Sequence, residues 1–124
     1  METQQSFGDF LMKKRTERDL TLREIATQMG VSIGFYNDVE KDRRNPFDRA
    51  QLEKVISILG LTEPDVSTLY NLAGKGRNSV APDLPEYIMQ RDYVSAALRT
   101  ARDLGAGEQE WLQFVEELKR KKGK

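Results

Sequence analysis

The sequence predicts an all-α fold, with five helices in its first part and a helical extension after them. Helix-capping residues and helix-ending glycines recur at short intervals along the chain. Almost no stretch alternates apolar and polar residues as a half-buried strand does. In the clearest helical segment, apolar residues recur at the i, i+3, i+4, i+7 spacing of a buried face: Leu52, Val55, Ile56 and Leu59.

The first two helices have clear start and stop signals. Ser6 caps the first, whose apolar face begins at Phe7. Thr21 opens the second and Glu24 follows three residues later, the capping-box spacing in which each side chain satisfies a backbone N–H near the other. Gly30 ends the second helix, because a residue without Cβ readily adopts the positive φ of a tight turn.

Three more helices follow. Ser32 caps a third helix over about 33–40, and a polar loop, 41–46, comes after it. The fourth helix carries the apolar stripe given above and ends at Gly60. Thr62 caps the fifth, so that five helices are predicted within residues 1–74.

A linker is predicted at 75–82, where Gly, Lys, Arg, Asn and Ser replace any apolar period. It separates the bundle, 1–74, from a C-terminal helical extension, 83–124, that has too few apolar residues for a large core of its own. We expect the extension to form a dimer or partner surface, with packing within the chain as the alternative. The candidate surface residues are Tyr87, Ile88, Leu98, Trp111, Leu112 and Val115.

Composition excludes several classes of enzyme. The chain has no Cys and no His, which removes thiol nucleophiles, imidazole bases, disulfides and the usual transition-metal ligands. No Gly-rich phosphate loop or metal-spaced set of carboxylates is present either. We therefore predict no catalytic residue, no metal, no cofactor and no enzymatic activity. The sequence also shows no signal peptide or membrane span, so we expect a cytoplasmic, nucleoid-associated protein.

The second and third helices have the spacing of a helix-turn-helix motif. Ala26 lies where the two helix axes approach closely and a larger side chain would separate them. Gly30 makes the turn between the helices. The remaining positions supply apolar side chains that fill the wedge between the helices: Ile25, Met29, Val31, Tyr36 and Val39.

The chain resembles the Cro/C1-type (XRE) family of DNA-binding regulators over about 7–73. The stretches that carry the resemblance are 20–26, 29–32, 39–41, 43–46 and 58–61. The resemblance implies a lambda repressor-like five-helix DNA-binding bundle. Its third helix would enter the major groove of double-stranded DNA, usually in a two-fold dimer.

The resemblance also assigns site residues. It places at the base edges Ile33, Gly34, Asn37 and Asp38, with Phe35 at the groove margin. It assigns phosphate contacts to Arg23, Ser32, Lys41, Arg43, Arg44 and Asn45. Arg15 and Glu40 occupy the positions of a structural salt bridge between the first and third helices. Leu22 stands where the family commonly has a phosphate-binding Gln, so that contact is lost or passes to Arg23.

We expect base readout to be weak or apolar, because the front of the recognition helix has no Gln or Arg. Asn37 suits adenine, and Ile33 and Phe35 suit a thymine methyl group, with local packing as their alternative. Asp38 accepts only from cytosine and repels phosphates, so a solvated or intramolecular charge is the stronger interpretation.

The charge pattern indicates local rather than global attraction to DNA. The chain holds 20 basic and 20 acidic residues. Residues 1–74 carry ten basic and twelve acidic side chains, a net charge of −2, and the remaining residues have a net charge of +2. The positive charges that flank the predicted recognition helix must therefore cluster on one face.

These observations predict a sequence-specific transcriptional regulator. The first hypothesis is a repressor that binds a palindromic operator as a homodimer through the helix 32–40. The alternative is an antitoxin-like interaction module whose C-terminal helices bind a protein partner, with autoregulatory or lost DNA binding. No membrane role is expected.

Overall fold

A computed structural model describes residues 5–123, which form eight α-helices and no strand, so the all-α prediction is confirmed. The helices are α1 (Phe7–Glu17), α2 (Leu22–Met29), α3 (Ile33–Glu40), α4 (Arg49–Leu59), α5 (Glu63–Gly76), α6 (Pro85–Met89), α7 (Asp92–Asp103) and α8 (Glu108–Lys122). Within the described range no helix is long and apolar enough to cross a membrane.

The described chain forms two compact units, 5–85 and 86–123. The segment 75–82, interpreted from the sequence as a linker, belongs to the first unit. Its first two residues complete α5, and Ala81 is buried in the core of the bundle. An added Cβ on Gly74 would lie 2.7 Å from the backbone nitrogen of Ala81, so the chain after α5 packs closely against that helix.

Each of the first five helices begins at a residue whose side chain accepts a hydrogen bond from the backbone N–H three residues later. These N-caps are Ser6, Thr21, Ser32, Asp48 and Thr62. The predicted capping box of Thr21 and Glu24 is present, with the two reciprocal hydrogen bonds at 3.0 and 2.8 Å. Gly30 and Gly60 end their helices at positive φ, 76° and 57°.

The core of the first unit combines aliphatic side chains with a cluster of aromatic rings. Phe7 and Phe47 pack edge to face with ring centroids 5.8 Å apart, and Tyr36 lies 6.1 Å from Phe47. The largest fully buried side chains are Tyr36, Phe47, Leu11, Ile25, Leu52, Leu69, Val39 and Val55. Phe47 follows the loop after α3, so this loop is anchored to the core at its far end.

A buried ion pair joins α1 to the end of α3. Arg15 donates from Nε to Oε2 of Glu40 at 2.7 Å and from its terminal guanidinium nitrogen to Oε1 at 3.1 Å. The Glu40 side chain is 1% exposed and that of Arg15 is 12% exposed. Arg15 also donates to the backbone oxygen of Leu20, so one side chain ties α3 to α1 and to the chain entering α2. The pair expected from the family resemblance is thus present.

The same charges act on the core next to them. Tyr36 is fully buried, and its hydroxyl makes no hydrogen bond within the described residues. Burial raises the pKa of Tyr36, and the nearby Glu40 carboxylate raises it further. Hydrogen bonding to Glu40 raises the pKa of the Arg15 guanidinium. The Arg15 guanidinium therefore remains charged at neutral pH, and Tyr36 remains neutral.

The start of α1 lies directly on the end of α3. A Cβ on Gly8 would come within 2.2 Å of the backbone oxygen of Glu40, a distance that no side chain tolerates. Asp42, at φ 59°, accepts hydrogen bonds from the backbone N–H of Gly8 at 3.0 Å and from the Ser6 hydroxyl at 2.6 Å. These contacts fix the end of α3 against the bundle.

The second unit comprises the rest of α6 and the helices α7 and α8. None of these three helices has a buried residue. Trp111 and Phe114 of α8 pack edge to face at 6.2 Å but remain exposed. Most of the unit's large apolar side chains are therefore exposed, whereas Ile88 and Val94 are half-buried.

Replacing Glu40 tests the importance of the buried pair. Glu40→Ala leaves the Arg15 guanidinium buried without its partner, so we expect the free energy of unfolding to fall by about 3–5 kcal/mol. Glu53→Ala is the matched control, because Glu53 forms an exposed pair with Arg49 at 3.5 Å and its loss changes stability by less than about 1 kcal/mol. Urea unfolding of both variants measures the difference, and equal losses would contradict this account.

Candidate nucleic-acid interface

The turn between α2 and α3 positions the recognition helix. Gly30 takes φ 76°, and the N–H of Val31 donates to the backbone oxygen of Ala26 at 3.0 Å. The Ser32 hydroxyl then accepts from the N–H of Phe35 at 3.0 Å and so starts α3. A left-handed glycine followed directly by an N-cap gives an abrupt change of direction. The front of α3 is thereby set at the surface.

α3 has one buried and one outer face. Tyr36, Val39 and Glu40 point into the bundle. Ile33 is 38% exposed, Gly34 is exposed, and the base-edge candidates Asn37 and Asp38 are half-buried. The predicted base-facing residues other than Phe35 therefore share an accessible face.

Nothing in the described part of the chain requires glycine at position 34. Its φ is not positive, and an added Cβ would meet no atom within 4 Å. Glycine in a helix is less favourable than alanine by up to about 1 kcal/mol. A glycine on an open helix face allows an external partner to approach the backbone closely.

Phe35 takes a different position from that of a base reader. It is half-buried and packs against the core of the first unit. The guanidinium carbon of Arg44 lies 4.7 Å from the centroid of its ring. A guanidinium over an aromatic face is held there by a cation–π interaction. Phe35 is thus a platform that orients Arg44, which agrees with the local-packing alternative.

Asp38 is engaged within the chain. Its Oδ1 lies 3.5 Å from a terminal nitrogen of Arg43, and its backbone oxygen accepts from the N–H of Arg43 at 2.8 Å. This pair is largely exposed, so its contribution to stability is below about 1 kcal/mol. Its main effect is to fold the loop after α3 back along the helix, which supports the intramolecular interpretation of Asp38.

The other phosphate candidates are exposed residues of the motif and of the loop after it. Arg23 is the second residue of α2, and Lys41 caps the end of α3. Asn45 and Ser32 are exposed, as are Arg43 and Arg44. Within the described residues Arg23 and Lys41 form no ion pair, so their charges are available to an anion.

Asp42 is a residue whose role sequence reasoning missed. It lies in the basic loop, where a carboxylate would oppose phosphate binding. In the structure this carboxylate is turned away and accepts from Ser6 and Gly8 at the start of α1. Its neighbours Lys41 and Arg43 are therefore left as the outward charges. The partners lie 34 and 36 positions away, so no local pattern indicated them.

The described residues include no group of three or more metal-ligating side chains. The chemistry that this surface offers is hydrogen bonding and charge attraction around a protruding helix. Such an arrangement defines a helix-turn-helix module.

Comparison with known proteins agrees with this class. The family model for helix-turn-helix proteins, HTH_3, matches residues 11–66. The matched stretch lies within the residues 7–73 that resemble the Cro/C1-type (XRE) family, so the match agrees with that resemblance. A solved structure described as a complex of the SinR and SinI proteins matches with a TM-score of 0.46 and 21% identity, covering 95% of this chain and 99% of that chain. No match was found among curated proteins.

Two glycines at equivalent helix positions provide a matched test of the α3 surface. Gly34 and Gly8 are each the second residue of their helix. Gly34→Ala should raise the free energy of unfolding by up to about 1 kcal/mol and weaken binding to duplex DNA, because the methyl group separates the α3 backbone from its partner. Gly8→Ala should lower stability by about 1–3 kcal/mol, because its Cβ overlaps the Glu40 carbonyl.

Urea unfolding and fluorescence anisotropy with labelled duplex measure the two effects. If Gly34→Ala binds DNA as tightly as the parent chain, the front of α3 does not approach the groove closely.

Proposed function

We propose that the protein is a sequence-specific transcriptional repressor that binds a palindromic operator as a homodimer, with α3 in the major groove. The observation that carries the proposal is the accessible face of α3, with Gly34 open to close approach. Lys41 at the end of α3 and Arg23 in the first turn of α2 form no ion pair within the described residues. A helix of this kind fits the major groove of B-DNA, which is about 12 Å wide.

The flanking cations would contribute affinity for DNA and fix the position of the protein along the duplex. Arg23 lies in the first turn of α2 and Lys41 at the end of α3, and both are exposed, so they would contact the DNA backbone. Arg43 and Arg44 are directed along α3 by Asp38 and Phe35, and both remain exposed. Phosphate contacts of this type position a protein on DNA without reading sequence. Ile33 and Asn37 are left as the side chains that read bases, through a thymine methyl group and an adenine edge.

The C-terminal helices support the dimer. The second unit has 38 described residues and no buried side chain in α7 or α8. A unit below about 40 residues with no core usually requires association to become stable. Association through α8 would bury Trp111, Leu112 and Val115, which are exposed in the single chain. Two recognition helices about 34 Å apart would then read the two halves of a palindrome.

An antitoxin-like function is the second candidate, because the same exposed face also suits a protein partner of another kind. A charge introduced on the apolar face of α8 distinguishes the two. Leu112→Asp should convert the protein to a monomer in solution and lower operator affinity by at least tenfold. Gln113→Asp, at a neighbouring exposed position, should leave both unchanged.

Mass measurement by light scattering and DNA titration read out the effect. A chain that is monomeric before substitution, or a Leu112→Asp monomer that binds operator at full affinity, would favour partner binding by the extension over dimerisation.

Selection of bound sequences from a random duplex pool tests the DNA function itself. We expect an inverted repeat whose half-sites are separated by about one helical turn. The logarithm of affinity for this sequence should fall linearly with the logarithm of salt concentration, by about 0.9 for each phosphate contact. An unenriched pool, or an affinity independent of salt, would refute the proposal.

A further inference from the structure

An open cleft lies beside the loop that follows α3. It is lined by Ser6 at the start of α1, by loop residues 42–46 and by residues of α5 that include Lys75 and Gly76. We propose that this cleft extends the DNA-binding surface beyond the helix-turn-helix, with Lys75 of α5 binding a backbone phosphate. The inference rests on the proposed function and adds a contact that lies outside the helix-turn-helix motif.

Two contacts hold the end of α5 against the loop. A Cβ on Gly76 would lie 2.6 Å from the Pro46 ring, so a glycine is needed for this approach. The Arg77 guanidinium donates a hydrogen bond to the backbone oxygen of Pro46. Lys75 immediately precedes these residues. The packing of α5 on the loop therefore fixes the backbone position of Lys75 relative to Arg43 and Arg44.

The charges of the cleft favour binding of a polyanion. Three cations line it, Arg43, Arg44 and Lys75, against the single carboxylate of Asp42. That carboxylate is held by Ser6 and by the N–H of Gly8, so it is directed to the start of α1. The whole described first unit carries twelve basic and twelve acidic residues and has no net charge. A local excess of positive charge on a neutral unit favours binding of a backbone with consecutive phosphates.

The cleft is continuous with the proposed backbone contacts. Arg43, Arg44 and Asn45 belong both to the loop that flanks α3 and to the lining of the cleft. The exposed amide of Asn45 adds a hydrogen-bond donor between the cations. A phosphate chain that follows the loop from α3 therefore meets Lys75 next. An extended strand fits this succession better than a single small anion, because the cations come from two separate elements, the loop and α5.

A cation in the last turn of a helix also interacts with the helix dipole, and that interaction could by itself account for Lys75. The two roles differ in what they change. A dipole interaction alters stability and leaves DNA binding as it was, whereas a phosphate contact alters the dependence of affinity on salt.

The experiment uses the full chain and the duplex selected from the random pool. Affinity is measured by anisotropy between 50 and 200 mM KCl for the parent chain, Lys75→Gln, Lys75→Arg and Lys13→Gln. Lys13 is the matched control, an exposed lysine of the same bundle that does not line the cleft.

For Lys75→Gln we expect the slope of log affinity against log salt to become shallower by about 0.9. The affinity ratio between parent and variant then shrinks by about threefold over this fourfold range of salt. Preference for the operator over a scrambled duplex should stay unchanged, because a phosphate contact carries no sequence information. Lys75→Arg should retain the parent slope, and Lys13→Gln should match the parent.

Thermal unfolding of each variant confirms that it is folded. An unchanged slope for Lys75→Gln, with the parent still binding in a salt-dependent manner, overturns this inference and leaves the proposed function standing. An equal change in Lys13→Gln overturns it as well, because the effect would then reflect total charge. A parent chain that selects no sequence refutes the proposed function and this inference together.

Discussion

The orientation of the recognition helix depends on the ion pair between Arg15 and Glu40. Glu40 is the last residue of α3, and its carboxylate and backbone oxygen both meet α1, the first through Arg15 and the second against Gly8. Removing two charges from water costs several kcal/mol, which is offset only when the geometry is good and further hydrogen bonds are made. The two-point contact and the additional bond from Arg15 to Leu20 meet that condition. These contacts at the last residue of α3 thereby fix the orientation of its first residues.

The acidic residues near the basic loop also have partners within the chain. Two acidic residues lie within or beside the basic loop, and each is engaged: Asp38 with Arg43, and Asp42 with the start of α1. The cations are left outward on a chain with no net charge. A neutral protein with a local basic surface has weak long-range attraction to DNA and depends on a few short contacts. Such a surface limits non-specific binding and leaves more of the affinity to shape and base readout.

Local signals in the sequence predicted the helices well, because a cap or a left-handed glycine acts within four residues. Thr21, Glu24, Gly30 and Ser32 stand in the structure as their spacing indicates. The Arg15–Glu40 pair came from the family resemblance and not from spacing. The turn of Asp42 toward α1 joins residues more than thirty positions apart, and the stacking of Arg44 on Phe35 depends on the path of a loop. Composition also suggested a linker at 75–82, where one small residue, Ala81, is enough to anchor the segment in the core.

The shortage of base readers explains why the extension matters. Of the exposed α3 face, only Asn37 offers a bidentate contact, and a good contact of this kind discriminates by about 1–3 kcal/mol. Specific regulators discriminate between operator and random DNA by about 4–10 kcal/mol. A single α3 therefore falls short, and a second copy doubles the readout only if both are held at a fixed separation. Under the proposed function, the exposed apolar side chains of α7 and α8 supply the association that such a separation needs. The weak base readout of the first unit then requires a second copy of the chain, and the exposed apolar surface of the second unit provides the contact that holds this copy.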